Sequence, residues 1–441
     1  MTITRRHLLQ GTAATLAAMT LPASAQQKAA DGAEILRQWY HLVLRLVRHT
    51  PTYSPPVASR SFAYLGVAAY QAVASGSTSV VSLEGQLNGL KGLPRREAGQ
   101  AYDDGLVTHC VMASAVKSFF GNTGPTGQRV MAATEKKLKA EAMEGLSEDV
   151  IQRSLSYAGA LHGAILAWSE ADGGAVVENM GFPMAYEMGK GAARWTPTSA
   201  IRQQQFPLLP NWGNNRTFAM PTGASCALPP PPAYSEDQAS EFYGQAREVY
   251  DVVRNLTPEQ EAIARFWSDD PMLSPTPSGH WLFIALDILE QEKASLDRTA
   301  EVVMRLGVAM ADAFIGCWNA KFQYDLLRPV TYIRKFIDAK WEPLLITPPF
   351  PEYPSGHSTQ SGAAAVVLAS LFGETFAFTD RTHERDGLKP RAFPSFEAAA
   401  QEAGISRLYG GIHFRAAIER GLDQGRCIGQ HTVALRTRSS T

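Results

Sequence analysis

The segment "PSGHSTQSGAAAVVLASLF", residues 354–372, places a polar tetrapeptide directly before a long run of small and apolar residues. The run predicts a helix over 357–372, with Ser355 at its N-cap. A helix N-terminus carries unpaired N–H groups and a partial positive charge, which together suit an oxyanion. Gly356 lets the backbone approach such a ligand closely, and His357 follows it. An ordinary serine N-cap has the same sequence, so the segment indicates a helix more firmly than it indicates a site.

The helical pattern of this segment recurs through most of the chain. Apolar residues follow one another at three-to-four spacing, and no alternation of strands and helices interrupts them. This predicts an all-α fold of two packed helical bundles, with an N-terminal half over 26–234 and a C-terminal half over 235–441. An irregular connection rich in Pro, Gly and Asn, over 173–234, ends the first half. The predicted helices are 59–75, 102–120, 147–171, 235–256, 257–267, 280–293, 295–320, 357–372, 394–404 and 412–436.

Two further pieces of the C-terminal half carry cationic side chains. "KFQYDLLRP" separates Lys321 from Arg328 by nearly two helical turns, which predicts both cations on one face of a helix over 295–327 and its continuation. "SRLYGGIHFR" separates Arg407 from His413 by a pair of glycines that break the helix between them. Taken alone, the Lys/Arg piece is also typical of a solvated basic face that ends at a proline. The Arg/His piece alone is also typical of a histidine packed in the core.

The three pieces follow one another in a fixed order that resembles a known signature. K-x6-RP, PSGH and SR-x5-H are shared by the vanadium-dependent haloperoxidases and by the acid phosphatases related to the phosphatidic acid phosphatase type 2 family. The gaps of 24 residues between Pro329 and Pro354 and of 48 between His357 and Ser406 are ordinary for that superfamily. "DAFIGCWNAKFQYDLLRP", "PPFPEYPSGHSTQSGAA" and "ISRLYGGIHFR" resemble the haloperoxidases in particular.

The resemblance implies an oxyanion site in the C-terminal bundle that holds vanadate, for which phosphate competes. His413 is expected to be the axial ligand of vanadium through Nε2. His357 is expected to take a proton from hydrogen peroxide, and Lys321 to polarise the peroxide while a halide attacks it. Trp318 and Phe350 match positions that flank the halide site in chloroperoxidase-type members, and core packing explains them equally well. The residues expected to bind the cofactor are Lys321, Arg328, Ser355, Gly356, Arg407 and His413.

The same signature serves phosphate monoester hydrolysis when the pocket holds phosphate. His413 is then the nucleophile that forms a phosphohistidine, and His357 is the acid for the leaving group. The length of the chain and the stretch "FWSDDPMLSPTPSGHW" favour a haloperoxidase. Ser358 departs from the Ala of the fungal chloroperoxidases, which leaves the halide open. A non-catalytic oxyanion-binding helical protein is the third alternative.

The tetrapeptide Pro-Ser-Gly-His also occurs at 277–280, ahead of Lys321. This first copy cannot fill the signature, which requires the tetrapeptide between the Lys/Arg and Arg/His pieces. The surrounding stretch resembles a haloperoxidase region in which an aspartate contacts the site arginine, and Asp270 best fits that position. His280 is therefore expected to support the site from outside it.

Composition and the N-terminus narrow the remaining possibilities. The 441 residues carry 41 basic and 42 acidic side chains, so no overall charge favours nucleic acid or anionic lipid. Arg5 and Arg6 precede a weakly apolar run that ends in Ala23-Ser24-Ala25, which resembles a twin-arginine export signal cleaved after Ala25. This predicts a periplasmic or secreted protein with no membrane span.

The four cysteines carry no metal-binding pattern. In an oxidising compartment one disulfide is possible, complete pairing of the four could occur in three ways, and four buried thiols are at least as plausible. The expected partners of the protein are hydrogen peroxide, a halide and a small organic acceptor, and the sequence leaves a homo-oligomer open.

Overall fold

The computed structural model describes residues 31–270 and 272–439, so the predicted export signal lies outside the described residues. The described chain confirms the all-α prediction, with one short antiparallel pair of strands as its only sheet. The strands are β1 (Phe378–Asp380) and β2 (Arg391–Phe393). The helices are α1 (Gly32–Arg48), α2 (Pro55–Ala74), α3 (Asp104–Phe120), α4 (Pro125–Met143), α5 (Glu148–Glu170), α6 (Glu241–Arg254), α7 (Pro258–Phe266), α8 (Thr276–Gln291), α9 (Leu296–Tyr324), α10 (Pro329–Phe336), α11 (Gly356–Phe372), α12 (Phe396–Tyr409) and α13 (Arg415–Val433).

Helix α9 is the structural axis of the fold. It begins at Ser295, whose side chain accepts a hydrogen bond from Arg298 N–H, and it is buried over most of its length. It packs against α2 on one side and against α11 and α13 on the other. The contact with α2 is close enough that a Cβ on Gly307 would lie 2.8 Å from Phe62 O. A helix that is apolar around most of its circumference is stable only when other helices cover it, as these do.

The small residues of the opening segment let α11 and α13 pack closely. A Cβ on Gly425 of α13 would lie 2.0 Å from Thr359 O of α11, so only glycine permits this approach. Ala363, Ala364 and Ala365 of α11 are buried in the same region. The tight packing fixes the N-terminus of α11, and with it the second Pro-Ser-Gly-His copy, relative to α9 and α13.

Several predicted helix boundaries were wrong: α6 begins at Glu241 and not at 235, α12 ends at Tyr409 and not at 404, and two further boundaries bear directly on the site. Helix α9 ends at Tyr324 because Asp325 adopts a left-handed conformation with φ 49°, so Lys321 and Arg328 do not share a helix face. Arg328 instead occupies the N-cap of α10. Helix α8 begins at Thr276, before the predicted start at 280, and therefore contains the first Pro-Ser-Gly-His copy.

The remaining outcomes concern the connection, the cysteines and the membrane. Residues 173–234 contain only short 3₁₀ turns, as predicted. Cys226 and Cys427 form a disulfide, while Cys110 and Cys317 are free thiols. None of the described helices combines the length and the apolar character needed to cross a bilayer. The division of the chain at residue 234 stays a prediction.

Candidate active site

A cavity of about 460 Å³ opens at the N-terminus of α11. Its ionisable lining residues come from the segment before the first Pro-Ser-Gly-His copy, from the second copy and from the Arg/His piece. They are Asp269, Asp270, His357, Arg407 and His413. The rest of the wall is largely apolar, including Phe182, Leu208, Phe314, Trp318, Ile346 and Phe350. The cavity therefore combines a small polar surface with an apolar approach, as small-molecule sites commonly do.

Ser355 and Gly356 supply the helix start that the sequence predicted. The Ser355 hydroxyl accepts a hydrogen bond from Ser358 N–H at 3.3 Å, and Ser355 N–H donates to Ala417 O at 3.0 Å. Gly356 lines the cavity. A Cβ at this position would meet only the rings of Phe314 and Trp318, each at 3.7 Å, so packing within the protein does not require glycine here. The open space beside the backbone suits a ligand that approaches the helix N-terminus.

Arg328 is buried and held in place on two sides. Its Nε donates to Phe350 O and its Nη1 to Ile412 O, both at 2.8 Å. Nη1 also lies 3.1 Å from His413 Nε2, while Nη2 has no hydrogen-bond partner in the described chain. Burial lowers the pKa of Arg328 to about 9. The guanidinium is thus fixed in orientation and retains an unused donor.

Arg407 lies in the last turn of α12 and lines the cavity. Its Nη1 donates to Trp267 O at 2.7 Å, and its buried Nε has no hydrogen-bond partner in the described chain. Burial lowers its pKa to about 10, against the opposing effect of Asp270 and Asp269. Among the described residues no ion pair joins Arg407 to Asp270, so the predicted contact takes the form of an electrostatic interaction across the same cavity.

Lys321 differs from the other predicted cations. Its ammonium group donates to the carbonyls of Pro351 (2.8 Å), Glu352 (2.9 Å) and Pro354. An ammonium has three N–H groups, so all of them hold the backbone that leads into the second tetrapeptide. Burial lowers the pKa of Lys321 to about 7. In this arrangement Lys321 supports the loop, and its direct role toward an anion or peroxide stays a prediction.

His413 is oriented by a carboxylate that the sequence analysis did not single out. His413 Nδ1–H donates to Glu352 Oε1 at 2.9 Å, and Phe414 N–H donates to the same oxygen at 2.9 Å. Both side chains are buried. Since Nδ1 carries the proton in this bond, Nε2 keeps its lone pair, which is the form that ligates a metal. Burial raises the pKa of Glu352 to about 7, and burial beside Arg328 and Lys321 lowers that of His413 well below its usual value.

His357 faces the cavity with 14% of its side chain exposed. Its Nε2 lies 3.6 Å from Asp269 Oδ2 and has no hydrogen-bond partner in the described chain. Burial, followed by the charge of Arg407, lowers the pKa of His357 to about 4. The imidazole is therefore neutral near neutral pH, and a neutral imidazole can accept a proton.

The first Pro-Ser-Gly-His copy lies behind His357, because Asp269 contacts the histidines of both copies. His280 is fully buried, with Nδ1 2.9 Å from Asp269 Oδ1 and Nε2 2.7 Å from Asp380 Oδ2. His280 does not line the cavity. This placement agrees with its predicted position outside the site, and Asp269 is the aspartate that joins it to the site.

The predicted halide residues lie together at the cavity. The rings of Trp318 and Phe350 are 4.9 Å apart, and both line the wall. The Trp318 indole N–H donates to Leu208 O at 3.1 Å, so it is not free for an anion. Ser358 is fully buried and its hydroxyl has no hydrogen-bond partner in the described chain.

The unused polar atoms indicate what the site accepts. Buried donors and acceptors are nearly always paired in folded proteins. Here Arg328 Nη2, Arg407 Nε and His357 Nε2 are buried without hydrogen-bond partners. Two guanidinium groups, a helix N-terminus and a histidine lone pair together suit a small oxyanion with a ligand position for its central atom. A vanadate ion would suit this donor set, and the expected roles of His413 as the ligand of vanadium and of Arg328, Arg407, Ser355 and Gly356 as partners of its oxygens stay predictions.

Comparison with known proteins agrees with this donor set. Residues 301–440 match the family described as the VCPO second helical-bundle domain. No curated protein sequence matches the chain. The crystal structure of the first bacterial vanadium-dependent iodoperoxidase is 38% identical in sequence, with a TM-score of 0.83 over 92% of this chain and 97% of that one.

Two further structures share the fold at lower identity. The holo-type and apo-type structures of a bacterial vanadium-dependent chloroperoxidase are each 16% identical, with a TM-score of 0.65 over 87% of this chain. The similarity extends over 92% of the holo-type chain and 94% of the apo-type chain. Since the iodoperoxidase is related to this chain over nearly its whole length, the chain belongs to the vanadium-dependent haloperoxidase family.

Proposed function

We propose that the protein oxidises halide, and iodide most readily, with hydrogen peroxide on a bound vanadate. The observation that carries this proposal is the buried His413, whose Nδ1–H is held by Glu352 so that Nε2 keeps the lone pair a metal ligand needs, with Arg328 Nη1 donating to that lone pair at 3.1 Å. Hydrogen peroxide, halide and one proton give hypohalous acid and water. The hypohalous acid then reacts with a small organic acceptor.

The residues divide the chemistry between charge and proton transfer. When bound, vanadate supplies Lewis acidity that activates hydrogen peroxide without a change of oxidation state. Arg328 and Arg407 compensate the negative charge of the anion in a site where few waters do so. The neutral His357 accepts the proton that hydrogen peroxide loses on binding and returns it to the leaving oxygen. Lys321 holds the backbone of the second tetrapeptide in place for these contacts.

Iodide is proposed as the preferred halide for three reasons. Iodide is the most easily oxidised of the three common halides, and the relative at 38% identity is an iodoperoxidase. The Trp318 N–H is occupied by Leu208 O, which leaves no indole donor to stabilise a smaller, more strongly hydrated anion. Trp318 and Phe350 then offer an apolar wall to a large polarisable ion.

Vanadate reconstitution tests this function. Dialysed protein should oxidise iodide only after vanadate is added, and excess phosphate should suppress that gain because the same cations hold both tetrahedral anions. His413→Ala should bind vanadate much more weakly than the wild type. Full iodide oxidation by vanadium-free protein would contradict the proposal, and phosphomonoester hydrolysis without halide oxidation would indicate the phosphatase instead.

We also propose that the chain is exported in folded form by the twin-arginine route. Arg5, Arg6 and the Ala23-Ser24-Ala25 sequence support this proposal. Changing both arginines to lysine should leave the precursor in the cytoplasm. Undiminished export of that variant would point to the general secretory route.

A further inference from the structure

A second cluster of metal-ligating side chains lies behind the acid–base histidine. Asp269, His280 and His383 each direct one ligand atom into a common region, with all three atoms within 4.8 Å of one another. All three residues are buried. The cluster is separate from the proposed vanadate ligand His413 and is joined to the cavity only through Asp269, which also faces His357.

The distances among these atoms suit a transition-metal ion. Asp269 Oδ1 lies 2.9 Å from His280 Nδ1 and 3.5 Å from His383 Nε2. Tetrahedral zinc, with bonds of about 2.0–2.1 Å to nitrogen and oxygen, separates its ligand atoms by roughly 3.3 Å. His383 Nε2 is buried without a hydrogen-bond partner in the described chain, and only 7% of its side chain is exposed. Its 3.5 Å contact with Asp269 Oδ1 is longer than a normal hydrogen bond, so His383 Nε2 is a buried ligand atom that no hydrogen bond uses.

Both histidines are oriented from their opposite nitrogens. His280 Nε2 lies 2.7 Å from Asp380 Oδ2, and His383 Nδ1 lies 3.2 Å from Asp386 Oδ2. Metal-ligating histidines almost always donate their second N–H to such a carboxylate or carbonyl, which fixes the ring and the tautomer. Two histidines with this support and one carboxylate make three of the four ligands of a typical site, and three protein ligands leave one position open.

We infer that Asp269, His280 and His383 form a binding site for a divalent transition-metal ion of the zinc type. Binding releases the proton that His280 shares with Asp269 and leaves its Nε2–H on Asp380. Asp269 then ligates through Oδ1, and its Oδ2 remains beside His357. The ion fixes the wall against which the acid–base histidine rests.

Metal titration of the full chain tests this inference without reference to peroxidase activity. The protein is treated with a chelator, kept oxidised so that Cys226–Cys427 stays a disulfide, and titrated with Co²⁺ in buffer free of vanadate and phosphate. One equivalent of Co²⁺ should bind and give the visible absorption of a low-symmetry, four- or five-coordinate ion. Zn²⁺ should displace it, since zinc binds such ligands more tightly than cobalt.

Three variants separate this site from other histidines. His383→Gln should lose the Co²⁺ absorption. Asp386→Asn, which leaves all three ligands in place, should weaken binding about 10–100-fold. His431→Gln is the matched control because His431 lies near the disulfide sulfurs and outside the cluster, and it should bind as the wild type does. Asp386 is partly exposed, so this variant decides the question if His383→Gln fails to fold.

Three results would overturn the inference. The first is a wild-type protein that binds no stoichiometric Co²⁺ or Zn²⁺ after chelator treatment. The second is binding that is equal in the wild type, His383→Gln and Asp386→Asn. The third is loss of binding in His431→Gln, which would place the ion elsewhere. None of these results depends on whether the protein oxidises halide, so the proposed function is tested independently.

Discussion

The two Pro-Ser-Gly-His copies have the same sequence and different positions in their helices. In the copy at 354–357, Ser355 is the N-cap of α11 and His357 reaches the cavity. In the copy at 277–280, the tetrapeptide lies inside the first turn of α8, one residue after its start. An N-cap leaves backbone N–H groups available for a ligand, whereas the histidine of the first copy is enclosed by protein.

The surroundings shift the two imidazoles in opposite directions. His280 lies between Asp269 and Asp380 with the Trp267 ring stacked on it at 4.4 Å, and the two carboxylates raise its pKa to about 10 against the effect of burial. Burial lowers the pKa of His357 to about 4, with Arg407 acting in the same direction and Asp269 at the longer distance of 3.6 Å. The comparison shows that a tetrapeptide specifies chemistry only together with the charges that the fold places around it.

The largest expected effect is on turnover at the second copy. His357→Ala should reduce iodide oxidation by about 10²–10⁴-fold, because it removes the proton acceptor while Arg328, Arg407 and His413 still hold the anion. Vanadate affinity should change little. Steady-state kinetics and vanadate titration measure the two quantities. His162→Ala is the control, because His162 lies on α5, contacts Ser118 Oγ at 3.1 Å and does not line the cavity. Undiminished turnover in His357→Ala would assign the proton transfer to another group.

The next effect concerns stability at the first copy. His280→Ala leaves Asp269 and Asp380 as buried carboxylates without their shared partner, and removing one member of a buried ion pair costs about 3–5 kcal/mol. Chemical denaturation of metal-free protein should show this loss in the free energy of unfolding. Turnover of the folded variant should fall ~10-fold at most, as for an outer support of an active site. A variant with wild-type stability and no turnover would reverse the roles of the two copies.

A smaller effect is expected at the carboxylate that orients the vanadium ligand. Glu352→Gln keeps an oxygen for His413 and Phe414 but loses the charge, and vanadate affinity should fall about 10–100-fold. Glu248→Gln, which changes a carboxylate in a partly exposed pair with Arg415, is the control. Equal vanadate affinity in Glu352→Gln and the wild type would remove Glu352 from the description of the site.

The smallest change is in the protonation of His357 itself. In vanadate-free protein its imidazole should take up a proton only near pH 4, since its pKa is lowered to about 4. A histidine NMR titration measures this, with His357→Asn to identify the resonance. Protonation at the ordinary histidine pKa of about 6.5 would show that burial and Arg407 do not act on the ring as described.

The sequence predicted the parts of the site that depend on order and spacing. Arg328, Arg407, His357 and His413 do lie around one buried region, although Arg328 reaches it from the N-cap of α10. Helix α9 ends at a left-handed residue, Asp325, and not at a glycine, so the sequence does not indicate this end. Helix periodicity alone therefore extended α9 too far.

The carboxylates that contact the histidines could not be predicted from the sequence, because their contacts depend on how distant segments fold together. Asp269 and Asp270 are adjacent, and only the folded chain shows that Asp269 is the one that contacts the histidines. Glu352 is a single acidic residue within a Pro-rich stretch, and only the folded loop brings it to His413. Asp380 ends β1, and His383 lies between β1 and β2. No sequence pattern indicates that this hairpin packs beside His280 of α8.

Histidine NMR during vanadate addition tests the assignment of the two copies most directly. Metal-free protein with ¹⁵N-labelled histidine is titrated with vanadate, and His357→Asn, His413→Asn and His280→Asn identify the resonances. The ring signals of His413 and His357 should shift with saturation at one vanadate per chain, while those of His280 stay nearly unchanged. A shift confined to His280, with His357 and His413 unaffected, would contradict the account.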